Sequence, residues 1–374
     1  MARQNVGKPK FYVDLLSYWW ARGNIAGVGF KNNPEGIYNW HMANQGGYRP
    51  SILGLNPTEY LNEDFYYEND IILRVELKDI FNLPENASDQ FFFGFLGHSF
   101  KSSGYTNPRV KFYTDTGWVR LIVDDFDEIC NMSTYGFQYD GWSMGKWTNV
   151  GHMPNSKAIE FTIDKPQQGN IQSLLGSLCF GNLFEMPHSP DLELTINRDF
   201  EGYSTQNTIG GSTLTQVNYF RPPDWAGFPA WELFDEDARE YTQETHQSRQ
   251  SSARGRRSWS LSFSYLDSED LFAVNENWSK LNPTDSDTFS SSGYNSGDFD
   301  NMGNFNTNIS QSSSFLSVLM NNTLGGALPF IFQPDGNNNS PDQFAICRID
   351  RDSLSFNQVA HNTYNVRMNI TESW

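Results

Sequence analysis

Cysteine, histidine and basic side chains are scarce in this chain of 374 residues. It contains three cysteines and six histidines, and its 26 lysines and arginines face 44 aspartates and glutamates, for a formal net charge of −18. Cys130, Cys179 and Cys347 are too far apart and too few for a disulfide framework, and they indicate a reducing compartment. The histidines show no metal-binding spacing, so we expect no metal site. The acidic balance excludes a general nucleic-acid binder, which needs a basic surface.

Long apolar runs and catalytic motifs are missing as well. The most apolar stretch, Phe91–Leu96, is far too short to cross a bilayer, and the first eight residues lack the apolar segment of a signal peptide. The chain has no Gly-x-Ser-x-Gly, Walker or Gly-x-Gly-x-x-Gly motif, so hydrolase and nucleotide-binding functions have no support. We therefore expect no enzyme activity, no cofactor and no membrane association.

What the chain does contain is aromatic residues. Phe, Tyr and Trp make up 15 % of it, and charged residues only 19 %. So many rings can fill a large core, which excludes a wholly disordered chain. Abundant Gly, Ser, Asn and Thr favour strands and turns over helices, and the length favours two or three domains.

The first half, residues 1–184, alternates short apolar segments with turn residues. Period-two alternation predicts strands at Ile71–Leu77 and Ala158–Ile163, and a hairpin is predicted around Thr114–Gly117. Phe11–Trp20 fits either a strand or a short helix. Many short strands at this spacing predict an antiparallel β-sandwich or jelly roll.

The second half, residues 185–374, is predicted to hold strands, one short helix and further strands. Thr208–Ser212 reads as a hairpin tip, and 281–312 as a long polar loop. Ser312–Asn322 is the predicted helix, capped by Ser312 or Ser313 and stopped by Gly325-Gly326. Strands are predicted at Asp191–Asn197, Leu328–Gln333, Phe344–Ile349, Leu354–Ala360 and Thr363–Thr371. The clearest strand is Arg257–Tyr265, whose predicted core face is Trp259, Leu261, Phe263 and Tyr265.

Several clusters allow a functional and a plainer interpretation. Four arginines either contact an acidic neighbouring subunit or nucleic acid that passes nearby, or they balance nearby acids in a solvated loop: Arg249, Arg254, Arg256 and Arg257. We favour the plainer interpretation for the first two and an interface for the last two. Asp298–Gly303 has part of a calcium-loop spacing but lacks the final glutamate. Asp124–Glu128 carries paired acids that suit glycoside hydrolysis, but acidic turns are commoner. Four aromatics are candidates for stacking on sugars or for the core: Tyr48, Trp118, Trp142 and Trp147.

The second half resembles the minor tail and distal tail (baseplate) proteins of tailed bacteriophages. The segments that carry this resemblance lie between about 185 and 374: the strand at Asp191–Asn197, the hairpin at Thr208–Gly211, Gly255–Tyr265, Thr323–Gly326, Leu328–Pro334, Asp342–Arg348 and Tyr364–Ile370. The first half looks, more weakly, like an attached jelly roll of the galactose-binding kind.

The resemblance implies a tail-tube-like β-sandwich or barrel with one helix, six copies of which form a ring around the channel through which phage DNA leaves. The chain would then be a structural virion protein of the tail tip or baseplate, assembled in the bacterial cytoplasm beside other tail proteins, with DNA passing unbound. Its acidic charge suits such a channel. We expect Gly210, Gly211, Arg256 and Arg257 to make subunit contacts. Two alternatives are open: a carbohydrate-binding module for host attachment in residues 1–184, and, last, a glycoside hydrolase.

Overall fold

The computed structural model describes residues 6–31, 39–42, 51–55, 70–83, 91–114, 119–147, 153–165, 175–192, 194–199, 203–217, 256–272 and 314–373. These residues are mainly β, as the sequence predicts, and form several antiparallel sheets. The first thirteen strands are β1 Lys10–Asp14, β2 Ile25–Lys31, β3 Asn39–Met42, β4 Ile71–Leu83, β5 Phe91–His98, β6 Thr106–Thr114, β7 Val119–Val123, β8 Asp127–Cys130, β9 Met132–Ser133, β10 Gly136–Phe137, β11 Gly141–Trp147, β12 Met153–Asp164 and β13 Ser177–Glu185.

The remaining strands are β14 Thr195–Asp199, β15 Tyr203–Asn207, β16 Thr213–Val217, β17 Arg256–Asp267, β18 Phe330–Gln333, β19 Ala345–Ala360 and β20 Thr363–Glu372. The helical segments are α1 Leu15–Ala21, the single turn α2 Ser268–Leu271, a π-helix at Leu316–Asn321, and 3-10 turns at Ser51–Leu53 and Pro341–Gln343. In its described part, the second half therefore contains α2 in addition to the one helix that we expected. Asp267 caps α2 by accepting the Glu269 N–H at 3.0 Å.

One sheet runs through both halves of the chain. Its ten strands lie in the order β14-β17-β20-β19-β18-β1-β13-β5-β11-β8. The strand β1 joins the two halves, because it pairs with β13 on one side and with β18 on the other. The predicted domain boundary at 184/185 falls before the last residue of β13, and the sheet continues across it. A second sheet of eight strands holds β2–β4, β6, β7, β9, β10 and β12.

Strand β1 ends where Asp14 begins α1, so the segment that fitted either a strand or a helix forms both. The Asp14 carboxylate accepts the Leu16 N–H at 3.3 Å and the Ser17 N–H at 3.0 Å, the usual arrangement of an N-cap. It also accepts the Phe180 N–H of β13 at 3.2 Å. Burial raises the pKa of this carboxyl group.

The first core lies between the two sheets. Ile71, Leu73, Val75 and Leu77 of β4 are buried in it, as their alternation predicts. The face of β12 predicted at Ile159, Phe161 and Ile163 is buried there too. Strand β5 is buried along its whole length because both of its faces are covered. Phe91, Phe93 and Phe95 enter this core, whereas Phe92 and Leu96 enter a smaller cluster with residues of both halves.

The second core covers the C-terminal part of the ten-stranded sheet. Residues of β17–β20 pack against the π-helix, chiefly Phe315, Val318 and Leu319. The helix predicted at Ser312–Asn322 is therefore present from Leu316 onward; its proposed caps Ser312 and Ser313 lie outside the described residues. Turns follow through Gly325 and Gly326, both at positive φ, where the sequence predicts the helix to stop.

Strand β17 departs from the predicted pattern at one residue. Trp259, Leu261 and Phe263 are buried, as their alternation predicts, but Tyr265 is 58 % exposed. The pairing of β17 with β20 shifts between Phe263 and Leu266, and Tyr265 lies at a φ of 62°. This bulge adds one residue, so Leu266 takes the buried position that we expected for Tyr265. The two strands predicted at Phe344–Ile349 and Leu354–Ala360 likewise form the single strand β19, which is irregular between Asp350 and Ser355.

A buried histidine makes the stability of the first half depend on pH. His98 is fully buried; its Nδ1 accepts the Phe100 N–H at 3.2 Å, so its Nε2 carries the proton and donates to Ser143 Oγ at 2.7 Å. Burial lowers the pKa of His98 to about 3. Between pH 6.5 and 3 the unfolded chain binds a proton that the folded chain excludes, so we expect the contribution of His98 to the free energy of unfolding to fall by about 1.4 kcal/mol for each pH unit below 6.5.

Urea unfolding of wild type and His98→Gln at pH 7, 6 and 5 measures this contribution. The difference between the two proteins should shrink as the pH falls, because the glutamine does not titrate. His361→Gln, at an exposed histidine, is the control and should keep the wild-type slope. A difference that stays constant over this range would contradict the assignment.

Candidate interaction surface

The ten-stranded sheet ends at a strand with two exposed faces. β14 pairs with β17 along one edge, in a register that places Ile196 opposite Trp259, and it is the terminal strand of the sheet among the described residues. All five of its residues are exposed, and Ile196 is 57 % exposed although its partner Trp259 is buried. Backbone N–H and C=O groups along the outer edge of such a strand can pair with another chain.

Directly after β14, the strands β15 and β16 form a hairpin that we call the arm, Tyr203–Val217. They pair only with each other in the described part of the chain, from Tyr203 opposite Val217 to Asn207 opposite Thr213. Every residue from 204 to 216 is exposed, and Leu214 is 59 % exposed. The arm contains no charged residue, in a chain with a net charge of −18. Its uncharged, threonine-rich sequence was the signal that could have revealed this surface.

The tip of the arm is the hairpin turn that the sequence predicts at Thr208–Ser212. The Thr208 N–H donates to Ser212 O at 2.8 Å, and the Gly211 N–H donates to Thr208 O at 2.9 Å. Gly211 adopts a φ of 83°, which disfavours any residue with a side chain. Ile209 projects fully into solvent. The predicted contact residues Gly210 and Gly211 thus lie at the outermost point of the arm.

The other two predicted contact residues lie on β17 beside β14. Arg256 pairs in register with Asp199 and is half-buried. Arg257 holds Glu372 through Nε at 3.2 Å and a terminal guanidinium nitrogen at 3.0 Å, and it donates to Phe344 O at 3.0 Å. This guanidinium is engaged within its own chain, and the subunit contacts expected of Arg256 and Arg257 stay predictions.

The acids considered for glycoside hydrolysis lie in the connection between β7 and β8 and at the start of β8. Asp124, Asp125, Asp127 and Glu128 are exposed, and Phe126 between them is buried in the first core. Glu128 accepts a hydrogen bond from Gln138 at 3.1 Å. Across the described ranges, no group of three or more acidic, histidine or cysteine side chains is arranged to hold a metal ion.

One of the four aromatics considered for sugar stacking lies in the core. Trp142 is 2 % exposed and packs on Phe344 with ring centroids 5.9 Å apart, so it belongs to the core. Tyr48, Trp118 and the side chain of Trp147 lie outside the described residues. So do Arg249, Arg254, the calcium-like stretch Asp298–Gly303 and the loop predicted at 281–312.

The three cysteines are buried within the sheets. Burial raises the pKa of Cys130 to about 12, and it raises the pKa values of Cys179 and Cys347 well above their ordinary range. None of these thiols is therefore a nucleophile at neutral pH. In the part of the chain that the structure describes, the helices are all too short or too polar to cross a membrane.

The sequence and the structure were compared with those of known proteins. No protein-family model matches the chain, and no curated protein or solved structure matches it either.

Proposed function

We propose that this protein is a structural component of a bacteriophage tail, at the tail tip or baseplate, where copies of the chain form a ring that continues the tail tube. Its two halves are then a jelly-roll-like sandwich that faces neighbouring baseplate proteins and a tail-tube-like sandwich that builds the ring. Six copies are the ring order that the sequence resemblance implies.

The observation that carries the proposal is the arm. An isolated two-stranded hairpin is marginally stable in water, and an exposed, uncharged strand edge readily pairs with other strands. The arm has two exposed faces from 204 to 216 and no charged residue to discourage pairing. A hairpin with these properties becomes more stable when another chain covers it.

Charge favours a second copy of this chain as the partner. Each copy carries −18, so most contacts between copies bring acidic surfaces together and cost free energy. The arm is an uncharged surface, and two copies can meet there without this repulsion. If the arm of one copy docks on a different patch of the next, the contact is head-to-tail, and it gives a ring when the rotation between successive copies closes. An acidic ring repels the phosphates of DNA and lets a duplex pass without binding.

Sedimentation velocity over a range of protein concentrations tests the role of the arm. We expect the wild type to form oligomers. The double variant Ile209→Asp, Leu214→Asp should associate at least about 10-fold more weakly, because it places charges on the uncharged surface. Both side chains are exposed, so the fold should be unaffected.

The matched control is Val359→Asp, at an exposed valine on β19. It should assemble like the wild type, and negative-stain images of both should show rings. A wild-type protein that stays monomeric at every concentration, and that is absent from virions, would contradict the proposal.

A further inference from the structure

The two terminal strands of the ten-stranded sheet differ in charge. At one end, β8 begins with Asp127 and Glu128, and both side chains are exposed. At the other end, β14 has no net charge, because Arg198 and Asp199 balance each other. Charged side chains on an edge strand oppose pairing with a further strand. In a protein of net charge −18, another copy therefore meets less repulsion at β14 than at β8.

The second core reaches β14 but is not closed there. Leu194, directly before β14, is partly buried against this core. Ile196 lies opposite Trp259, which is buried in the same core, and residues paired in this way share one face of a sheet. Ile196 is nevertheless more than half exposed, and no strand lies beyond β14 among the described residues. A strand added at this edge would cover the rest of the Ile196 side chain.

The arm matches this edge in length and in side chains. Strands β14 and β16 are each five residues long, so an antiparallel pair in centred register would place Asn197 opposite Thr215, at the middle of both strands. In that register Leu214 falls on the same face as Ile196, at the diagonal position where long side chains still meet. Both side chains are exposed in the single chain, and the pairing would cover both.

The arm does not cover the edge strand of its own chain. In the part that the structure describes, β14 pairs with β17, and β15 and β16 pair with each other. Each copy therefore offers one arm and one edge. When the arm of one copy occupies the edge of the next, a further arm and a further edge remain for other copies, which is the pattern of a head-to-tail contact.

We propose that the arm of one copy adds to the ten-stranded sheet of the next, with β16 of the arm paired antiparallel to β14. Backbone hydrogen bonds along the edge hold the two strands together, and apolar contacts form on the side of the second core. This inference rests on the proposed function for the assembly of copies, and it names the surface that receives the arm.

Disulfide cross-linking between two single variants tests this contact. Asn197→Cys and Thr215→Cys each place one thiol at an exposed position in the middle of β14 or β16. The three native cysteines are buried and do not compete. When the two variants are mixed and oxidised, we expect cross-linked dimers. The control mixture, Asn197→Cys with Val359→Cys at an exposed valine of β19, should give none.

Hydrogen exchange of the wild type provides a test without any substitution. The amides of β14 should exchange about 10-fold more slowly or slower in the oligomer than in the dilute monomer, because the added strand accepts their hydrogen bonds. Ile196→Asp, which changes the edge and leaves the arm intact, should weaken association by about 10-fold or more, whereas Val359→Asp should not.

The outcomes separate this inference from the proposed function. Rings that form without a cross-link between β14 and β16, and without slower exchange in β14, would overturn the inference and leave the proposed function in place. A disulfide within one copy of the double variant Asn197→Cys, Thr215→Cys would show that the arm covers its own edge, and it would also overturn the inference. A protein that stays monomeric at every concentration would contradict both.

Discussion

Replacing Gly181 with alanine is expected to cause a large loss of stability, because the added methyl group has no space in the structure. A Cβ at this position would lie 1.8 Å from Val13 O and 2.9 Å from Leu15 N, both backbone atoms. No change of side-chain rotamer relieves such a contact, so β13 and β1 must move apart at the point where Gly181 pairs with Asp14. We expect the free energy of unfolding to fall by about 3 kcal/mol or more.

The position of Gly181 explains why the effect should spread. Strand β1 connects the two halves of the ten-stranded sheet, and Asp14 at its end holds the Phe180 N–H of β13 as well as the start of α1. Separating β1 from β13 therefore breaks the pairing and the cap together. Near-ultraviolet circular dichroism, which reports the packing of the many aromatic rings, should lose its native signal under conditions where the wild type keeps it.

Gly210→Ala is the control for this prediction. The nearest atom to a Cβ at Gly210 is Thr208 Oγ1, at 4.0 Å, so this substitution should change the free energy of unfolding by about 0.5 kcal/mol or less. Urea unfolding of both variants provides the comparison. Equal stabilities of Gly181→Ala and the wild type would show that β1 and β13 do not pair as described.

Arg257→Ala is expected to have the second-largest effect. Glu372 is 4 % exposed at its side chain, and it accepts hydrogen bonds from the guanidinium and from the backbone N–H of Arg257. Without the guanidinium, a buried carboxylate loses its counter-charge and Phe344 O loses a donor. Removing one partner of a buried pair costs about 3–5 kcal/mol, which urea unfolding at neutral pH will measure.

Two further variants test whether the stability lost in Arg257→Ala comes from the unpaired charge of Glu372. In the double variant Arg257→Leu, Glu372→Leu no charge stays buried, so much of the stability should return relative to Arg257→Ala. Lys8→Ala removes an exposed ion pair with Glu185, 3.7 Å long, and should cost at most about 1 kcal/mol. If Arg257→Ala lowered the free energy of unfolding no more than Lys8→Ala does, the ion pair between Arg257 and Glu372 would not stabilise the fold.

The parts of the fold that local alternation determines were predictable. Strands β4 and β20 each bury one face, so apolar and polar residues alternate along them, and the sequence shows this directly. The hairpin tip at Thr208–Ser212 was equally readable, because its glycines supply the backbone freedom that the turn requires. In these cases the information lies within a few residues of the chain.

Other features depended on residues far apart in the chain. The bulge that turns Tyr265 outward follows from the register with β20, and alternation by itself placed that side chain in the core. The ion pair between Arg257 and Glu372 could not be predicted from the sequence, because the two residues are 115 positions apart.

By itself the sequence determined a mainly β protein with an acidic charge, several one-sided strands and a hairpin without charged residues. Only the tertiary structure decided that β1 joins the two halves into one sheet, that β14 is the terminal strand of this sheet among the described residues and that the arm is exposed from 204 to 216. The reason is physical: alternation records whether a face is buried, but backbone pairing between strands has no side-chain code. Which strand becomes the neighbour, and which stays open, is settled when the whole chain packs.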